Sequence, residues 1–262
     1  MLRSEINSTK ITVITVTYNS ASFVSDCLAS VADQKNIIVE HVVIDGFSSD
    51  GTLGLLQKRR DSLAVLVIEP DDGIYDAMNK GIKLAKGDII GFLNSDDFYA
   101  SSDVLSRVAE VFEQDPSLDA CYADLIYTNQ VDTSRTVRFW ESCDFVPGAF
   151  SQGWCPPHPT FFVRRSVYER FGGFDLNYRI ASDVELMMRF LEVHKIRVRY
   201  VPEVWVKMRM GGTTNKNLKN IWVQNQEVLR ALRSHGLPAN PMWFFGHKLL
   251  SRSKQFFRRP SV

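Results

Sequence analysis

The stretch that most limits the possible folds of this chain covers residues 69–97, EPDDGIYDAMNKGIKLAKGDIIGFLNSDD. Its apolar residues between Ile74 and Ala85 recur at helical spacing, which predicts a helix with one buried face. Gly87 is expected to end the helix in the left-handed conformation, and the apolar IIGFL then predicts a buried strand of a parallel sheet. That strand runs directly into NSDD, so two adjacent carboxylates are expected at the carboxyl edge of the sheet, where open α/β sheets bind ligands.

Similar apolar runs at 11–16, 41–44 and 63–68 alternate with helical patterns. This alternation predicts an α/β fold with a doubly wound, mostly parallel central sheet flanked by helices. Polar side chains follow the first two strands, namely Thr17, Tyr18, Asn19 and Asp45. Residues 135–157, rich in aromatic residues and proline, are expected to form an irregular loop that shapes a pocket.

Several classes of protein are disfavoured by what the chain lacks. No GxGxxG or GxxxxGK[ST] motif follows a predicted strand, which argues against a dinucleotide-binding dehydrogenase and a P-loop ATPase. A formal net charge of +1 gives no basic field, so nucleic acid is not an expected partner. The four cysteines lie far apart, which disfavours a zinc site and indicates a reducing compartment. Without a signal peptide or a membrane-spanning run, a cytoplasmic location is expected.

Several motifs occur in an order that resembles a family 2 glycosyltransferase with the GT-A fold, over roughly residues 10 to 215. They are the strand ending in TYN, VIDGFSSDGT, DDGIYDAMNKGI, GDIIGFLNSDD, FFVRRSVYERFGGFD and ASDVEL. The subgroup it is most similar to makes bacterial cell-surface polysaccharides and glycolipids. The resemblance implies an inverting transfer from a nucleoside-diphosphate sugar, with a UDP-sugar favoured as donor, Mg²⁺ or Mn²⁺ as cofactor, and a glycan or lipid-linked acceptor.

The resemblance also implies roles for individual residues. The expected donor-binding residues are Thr17, Tyr18, Asn19, Asp45, Asp72, Asn79, Lys80, Asn94 and Ser95. Asp96 and Asp97 are the expected metal ligands, and Asp183 is the expected general base. Contacts to the acceptor or a phosphate are expected from His158, Glu185, Gly211 and Gly212, with Glu185 also the substitute base. The family often has Asp where this chain has Asn94, and Glu where it has Ser182.

Each of these residues also has a purely structural interpretation. The NSDD sequence is a common polar turn after a strand, Asp183 is a suitable helix N-cap, and Asp45 could close a turn with Gly46. Lys80 could be a solvated helix charge, and a single histidine such as His158 is usually structural.

Three regions are expected in the chain: a nucleotide-sugar-binding half (1–100), an acceptor-binding half (101–215) and C-terminal helices (216–262). The last region contains a basic amphipathic pattern, with Met242, Phe245, Leu249, Leu250, Phe256 and Phe257 on one face. Lys248, Arg252, Lys254, Arg258 and Arg259 lie mostly opposite. This helix is typical of a peripheral element on the inner face of the cytoplasmic membrane, or it packs back on the protein. Two rival functions stay open: a sugar nucleotidyltransferase, and a catalytically silent, membrane-associated module that binds nucleotide-sugars.

Overall fold

The computed structural model describes residues 9–211 and 218–248. The first half contains β1 (Lys10–Thr17), α1 (Val24–Ala32), β2 (Ile38–Asp45), α2 (Thr52–Lys58), β3 (Val65–Ile68), α3 (Ile74–Leu84), β4 (Ile89–Phe92) and β5 (Phe98–Tyr99). The second half contains α4 (Val104–Gln114), β6 (Ala120–Thr128), β7 (Thr136–Trp140), β8 (Phe162–Arg164), α5 (Arg165–Phe171), α6 (Ser182–Met188), β9 (Val198–Arg209) and α7 (Leu218–Ser234). A further helix, α8, covers 241–248.

These strands form one mixed sheet in the order β3-β2-β1-β4-β8-β6-β9-β5, with β7 outside this path and paired to the last residues of β6. The first four strands in this order are parallel. Strands β8, β5 and β7 run antiparallel to their neighbours, and β6 and β9 are again parallel. The α/β architecture predicted from the sequence is therefore confirmed, and the antiparallel strands are confined to the half of the sheet beyond β4.

Both faces of the sheet are covered by helices. Successive residues of a strand point to opposite sides, so each strand contributes side chains to two cores. On β1, Ile14 and Val16 belong to a core shared with α3, α6 and α7. Ile11 and Val13, one step out of phase, belong to a second core shared with α1 and α4. Strands β4 and β6 are buried at every position and β1 from Ile11 onward, as is expected of strands covered on both faces.

Gly87 is needed for a different reason from the one expected. It is absent from the glycines with positive φ, so the prediction of a left-handed stop is wrong. A Cβ at this position would lie 2.7 Å from the amide nitrogen of Thr12 and 2.8 Å from the carbonyl oxygen of Lys10. The glycine therefore permits a close approach between the start of β4 and β1.

The region 135–157 is more regular than expected, because residues 136–140 form strand β7. It pairs antiparallel with β6, placing Phe139 opposite Ile126 and Trp140 opposite Leu125. The prediction of a wholly irregular segment is wrong here, and only the part after Trp140 is a loop with short turns. The two strands are consecutive in the chain and form an antiparallel hairpin.

Helix α8 partly packs back on the domain. Phe244 is buried in the core that includes Val228 and Leu229 of α7, and Lys248 Nζ donates a hydrogen bond to Asn225 Oδ1 at 2.6 Å. Met242 and Phe245 are exposed, at 85% and 41% of their surface. The expected apolar stripe therefore faces outward at these two residues, and the rest of the predicted stripe lies outside the described residues. No helix in the described part of the chain is long and apolar enough to span a bilayer.

Candidate functional site

The loops after β1 and β2 are fastened to each other at the carboxyl edge of the sheet. Thr17 and Asp45, the last residues of the two strands, lie opposite each other in the ladder. The amide of Asn19 donates to Ser48 Oγ at 2.9 Å, and the amide of Ser49 donates back to Asn19 Oδ1 at 2.9 Å. Asn19 has a φ of 50°, a left-handed conformation that asparagine tolerates better than most residues. The TYN turn thus has a fixed shape beside the end of β2.

Asp45 is fully buried and organises the loop that follows it. Its Oδ1 accepts a hydrogen bond from the amide of Ser48 at 2.8 Å, and its Oδ2 accepts one from Ser48 Oγ at 2.7 Å. These bonds account for the carboxylate as the closing element of a turn. Its contact to the base or ribose of a donor stays a prediction.

Asp71 completes this edge, and no pattern in the sequence marks it as part of the site. A Cβ at Gly46 would lie 2.4 Å from Asp71 Oδ2, so the carboxylate rests directly on the main chain after β2. Tyr18 and Phe47, each 64% exposed, are on the neighbouring loops. Phe47 has a φ of 66°, which is unusual for an aromatic residue. Two exposed aromatic rings near a carboxylate are suited to stacking on a nucleobase and to binding a base or ribose.

The three predicted donor residues around α3 have separate surroundings. The amide of Asp72 donates to Asp76 Oδ2 at 3.2 Å. Asn79 is tied to the main chain of Phe174, accepting from its amide at 2.8 Å and donating to its carbonyl oxygen at 2.9 Å. Lys80 Nζ lies 2.9 Å from Glu69 Oε1, whose hydrogen bond is the main cause that raises the pKa of the lysine. Asn79 therefore links α3 to the segment after α5, and the donor roles of all three residues stay predictions.

The NSDD sequence forms a tight turn in which one acid faces inward. Asn94 Nδ2 donates to Asp97 Oδ2 at 3.1 Å, and the amide of Arg209 donates to Asp97 Oδ1 at 3.3 Å. Asp97 is fully buried, and this burial, followed by the charge of Asp96, raises the pKa of its carboxyl group. Both oxygens of Asp97 accept hydrogen bonds inside the protein and hold the turn in place. The role of Asp97 as a metal ligand stays a prediction.

Asp96 is the acid of this turn that remains suited to a metal ion. It is half-buried, and neighbouring Ser95 is bonded to Ser20 of the loop after β1, with 2.9 Å between their hydroxyl oxygens. Among the residues that the structure describes, no group of three or more His, Cys, Asp or Glu side chains converges to hold a metal. Mg²⁺ is often bound by one or two carboxylates together with substrate phosphates. A donor set of Asp96 and the side-chain oxygen of Asn94 fits that pattern.

Arg209, at the end of β9, makes hydrogen bonds to the NSDD turn. No motif in the sequence indicated this contact. The Nη1 of Arg209 donates to the main-chain oxygen of Asp96 at 3.0 Å, and its Nη2 bonds to Asp26 Oδ2. The guanidinium lies between the rings of Phe23 and Phe98, at 5.2 and 5.0 Å from their centroids. The conformation of the acidic turn therefore depends on a residue more than a hundred positions further along the chain.

Asp183 lies in the first turn of α6 and is half-buried. Its Oδ1 accepts from the hydroxyl of Tyr75 at 3.0 Å and from the amide of Val184 at 2.9 Å. Its Oδ2 has no hydrogen-bond partner within the described ranges. Burial, and then the charge of Asp183, raises the pKa of Tyr75, which keeps the phenol protonated as a donor. The carboxylate is thus fixed through one oxygen while the other is left for a ligand.

His158 lies near Asp183 in an aromatic setting. Its ring stacks on Phe92 with 5.4 Å between centroids and meets Phe174 edge-on at 5.7 Å. Burial lowers the pKa of the imidazole, and the charge of Asp183 acts in the opposite direction. A neutral ring offers hydrogen bonds and no positive charge, which makes the acceptor side a better match than a phosphate. Its contact with either ligand stays a prediction.

Glu185 is turned away from Asp183 and buried to 2% exposure. Its Oε1 lies 2.9 Å from Arg189 Nε and 2.8 Å from His235 Nε2. The carboxylate is engaged in this internal network, and its roles as an acceptor contact and as the substitute base stay predictions. Ser182, which stands where the family commonly has Glu, donates to the carbonyl oxygen of Asp175 at 2.8 Å and anchors the start of α6.

Of the two glycines after β9, only Gly211 is described. It has a φ of 114°, in the region that favours glycine, and its position follows directly on Arg209 and Met210. The prediction for Gly212 lies outside the described residues.

Comparisons with known proteins agree with this architecture. Residues 12–171 match the family model described as Glycosyl transferase family 2. A protein of Mycobacterium bovis (strain BCG / Pasteur 1173P2) named PGL/p-HBAD biosynthesis glycosyltransferase is 32% identical over 208 residues, covering 78% of each chain.

Two solved structures share the fold at low sequence identity. One is S. aureus TarS 1-349 in complex with UDP-GlcNAc, with a TM-score of 0.63, 18% identity, and coverage of 86% of this chain and 65% of that one. The other is the mannosyltransferase PcManGT from Pyrobaculum calidifontis in complex with GDP-Man and Mn²⁺. Its TM-score is 0.63 at 21% identity, with coverage of 94% of this chain and 70% of that one. In a longer TarS structure, the chain spans 39% of the length.

Proposed function

Because the chain belongs to glycosyl transferase family 2, we propose that it moves a sugar from a nucleoside-diphosphate sugar to a hydroxyl group of a glycan acceptor, inverting the anomeric carbon. The observation that supports this most directly is Asp183, a half-buried carboxylate fixed through Oδ1, whose Oδ2 has no partner in the described part of the chain. This is the arrangement that a general base requires, since one oxygen orients the group and the other accepts the proton.

The reaction is a single displacement. The acceptor hydroxyl oxygen forms a bond to the anomeric carbon while the bond from that carbon to the diphosphate oxygen breaks. The proton of the hydroxyl passes to Asp183 Oδ2, and the bonding electrons leave with the diphosphate. The hydroxyl of Tyr75 keeps Oδ1 in place throughout, and attack opposite the leaving group inverts the configuration at the anomeric carbon.

The donor is proposed to bind along the edge formed by the loops after β1 to β4. Tyr18 and Phe47 offer exposed rings to the base, and Asp45 and Asp71 offer carboxylates to the base or ribose. Asp96 and the side-chain oxygen of Asn94 would hold Mg²⁺ or Mn²⁺, which when bound offsets negative charge on the departing diphosphate. The two similar structures hold a UDP-sugar in one case and a GDP-sugar with Mn²⁺ in the other. We favour a UDP-sugar.

Donor binding is tested by thermal unfolding against a panel of UDP-, GDP- and dTDP-sugars, with and without Mn²⁺. A donor at 100 times its dissociation constant adds about 2.7 kcal/mol to the free energy of unfolding, which corresponds to roughly 5–10 °C in Tm for a chain of this size. We expect one nucleotide class to give this shift, and the shift to need the metal.

Mn²⁺ alone and EDTA are the controls, since they separate metal binding from donor binding. Release of the nucleoside diphosphate with water as acceptor then separates the enzyme from a silent binding module, which would bind the donor without hydrolysing it. If no sugar nucleotide shifts Tm under any condition, the proposed donor is wrong.

The acceptor is proposed to be lipid-linked and part of cell-surface polysaccharide or glycolipid biosynthesis, with the protein at the inner face of the cytoplasmic membrane. A relative named for PGL/p-HBAD biosynthesis supports the pathway class. The exposed side chains of Met242, Trp243 and Phe245 on α8 support the membrane contact. The basic residues expected to face lipid head groups continue from Arg252 to Arg259 in the sequence.

Replacing Met242 and Trp243 together by serine is expected to lower binding of the full chain to anionic vesicles by about 10²-fold or more, because each buried apolar side chain contributes about 1.5–3 kcal/mol. Co-sedimentation with phosphatidylglycerol vesicles measures the effect. The matched control is Val131→Ser, an apolar side chain that is 92% exposed on the loop between β6 and β7. Equal binding of the wild type and the double variant would contradict the membrane contact.

A further inference from the structure

One face of α7 makes hydrogen bonds to the segment that leads into α6. Glu227 Oε1 accepts a hydrogen bond from the amide of Arg179 at 2.9 Å. Glu227 Oε2 accepts from the amides of Ile180 and Ala181, at 2.8 and 2.9 Å. Three consecutive main-chain donors thus converge on one carboxylate. Bonds of this kind to a charged acceptor are about twice as strong as neutral ones.

The same helix makes further contacts just before this point. Arg230 Nη2 donates to the carbonyl oxygen of Asn177 at 2.6 Å, and its guanidinium lies over the ring of Tyr178 at 4.4 Å. The hydroxyl of Tyr178 lies 3.1 Å from Ser234 Oγ. Residues 177–181 are therefore fastened to α7 along three of its turns.

The main chain of Ile180 is hydrogen-bonded at both its amide and its carbonyl group. Its amide bonds to Glu227, while its carbonyl oxygen lies 2.9 Å from the hydroxyl of Tyr75. That hydroxyl is also the one that contacts Asp183 Oδ1. The charge of Glu227 is close enough to contribute to the raised pKa of Tyr75. Glu227, Ile180, Tyr75 and Asp183 consequently form one connected group.

We propose that Glu227 is a positioning residue for Asp183: it fixes residues 179–181 so that the Asp183 carboxylate meets the acceptor hydroxyl. The proposal rests on the proposed role of Asp183 as base. Glu227 makes no contact with the donor edge in the described structure, and it lies beyond residues 12–171, which match the family model. A displacement of about 1 Å at a reacting group can cost about 10²-fold in rate, so the exact seating of this segment matters for the reaction.

The test is Glu227→Gln in the full chain. The amide keeps an oxygen for Ile180 and Ala181 but presents an NH₂ group to the amide of Arg179, so two donors face each other. We expect the kcat of donor hydrolysis to fall by about 10- to 100-fold, while the KM for the donor and the donor-induced shift in Tm stay the same. Hydrogen exchange of the amides of residues 179–181 is expected to become faster.

Glu40→Gln is the matched control for loss of stability alone. Glu40 is also a buried carboxylate that accepts main-chain amides, from Lys86 at 2.6 Å and Gly87 at 3.2 Å, but it lies near the opposite, amino-terminal edge of the sheet. Its replacement is expected to lower Tm without lowering kcat at temperatures well below unfolding. If this variant loses as much kcat as Glu227→Gln, the positioning role is wrong.

A double variant separates the positioning role from the role of the base. Residues that act as one unit are not additive, so Glu227→Gln is expected to cause no further loss in the Asp183→Asn background. A full additional loss there, or an unchanged kcat for the single variant, overturns the positioning role while leaving the base assignment intact. Wild-type hydrolysis by Asp183→Asn overturns the base assignment, and the positioning proposal with it.

Discussion

Replacing Asp183 with asparagine is expected to lower donor hydrolysis by about 10²–10⁴-fold, the usual contribution of a general base. The amide is nearly the same shape and can still accept the hydrogen bond from Tyr75, so the fold around α6 is retained. It cannot take up the proton of the attacking hydroxyl or water. The measurement is the release of nucleoside diphosphate at saturating donor, and the loss should appear in kcat with little change in donor KM.

Asp61→Asn provides the matched control, because Asp61 is an exposed carboxylate on the short turn after α2 and has no role in the proposed site. It should hydrolyse the donor at the wild-type rate. If Asp183→Asn is as active as this control while donor binding is intact, another group accepts the proton, and the inverting mechanism proposed here loses its base.

Replacing Asp96 with alanine is expected to remove the part of donor binding that depends on Mn²⁺ and to lower hydrolysis by about 10²–10³-fold. The estimate follows from the several kcal/mol that a metal ion contributes to charge stabilisation, with each 1.4 kcal/mol equal to a factor of ten in rate. Thermal unfolding with donor, with and without Mn²⁺, measures the first effect, and diphosphate release measures the second.

Asp61→Ala is the corresponding control for Asp96→Ala. Without ligand, both variants should unfold near the wild-type temperature, since neither carboxylate is fully buried. A metal-dependent shift in Tm that survives in Asp96→Ala would contradict the proposed metal ligand and direct attention to the other oxygens of the NSDD turn.

The first half of the fold was accessible from the sequence because its signals are local. Apolar runs fix β1 to β4, helical spacing fixes α3, and the polar residues that follow the strands mark the ligand edge. The second half was less accessible, since β6 pairs with β7, β8 and β9 in different directions. Such pairings depend on contacts between distant parts of the chain, which no local period reveals.

The residues of the candidate site also divide into those marked by a local motif and those whose contacts are long-range. Asp96 and Asp183 could be proposed from the motifs in which they lie, but Arg209 and Glu227 could not, because their contacts join distant segments. The bond from the amide of Arg209 to Asp97 spans 112 positions, and that from Tyr75 to Asp183 spans 108. Burial is equally invisible in a short motif, so nothing in the sequence indicated that Asp97 and Glu185 are buried and engaged inside the protein.

The hydrogen bonds between α7 and residues 177–181 affect the order in which parts of the site form during translation. Chains are made from the amino terminus, and domains generally fold as units as they emerge. The loop after β4 depends on Arg209, which donates to the main-chain oxygen of Asp96, and Glu227 follows Arg209 in the sequence. A nascent chain would therefore have its NSDD turn supported before residues 177–181 are bonded to α7, so the donor side of the site would be completed before Asp183 is positioned.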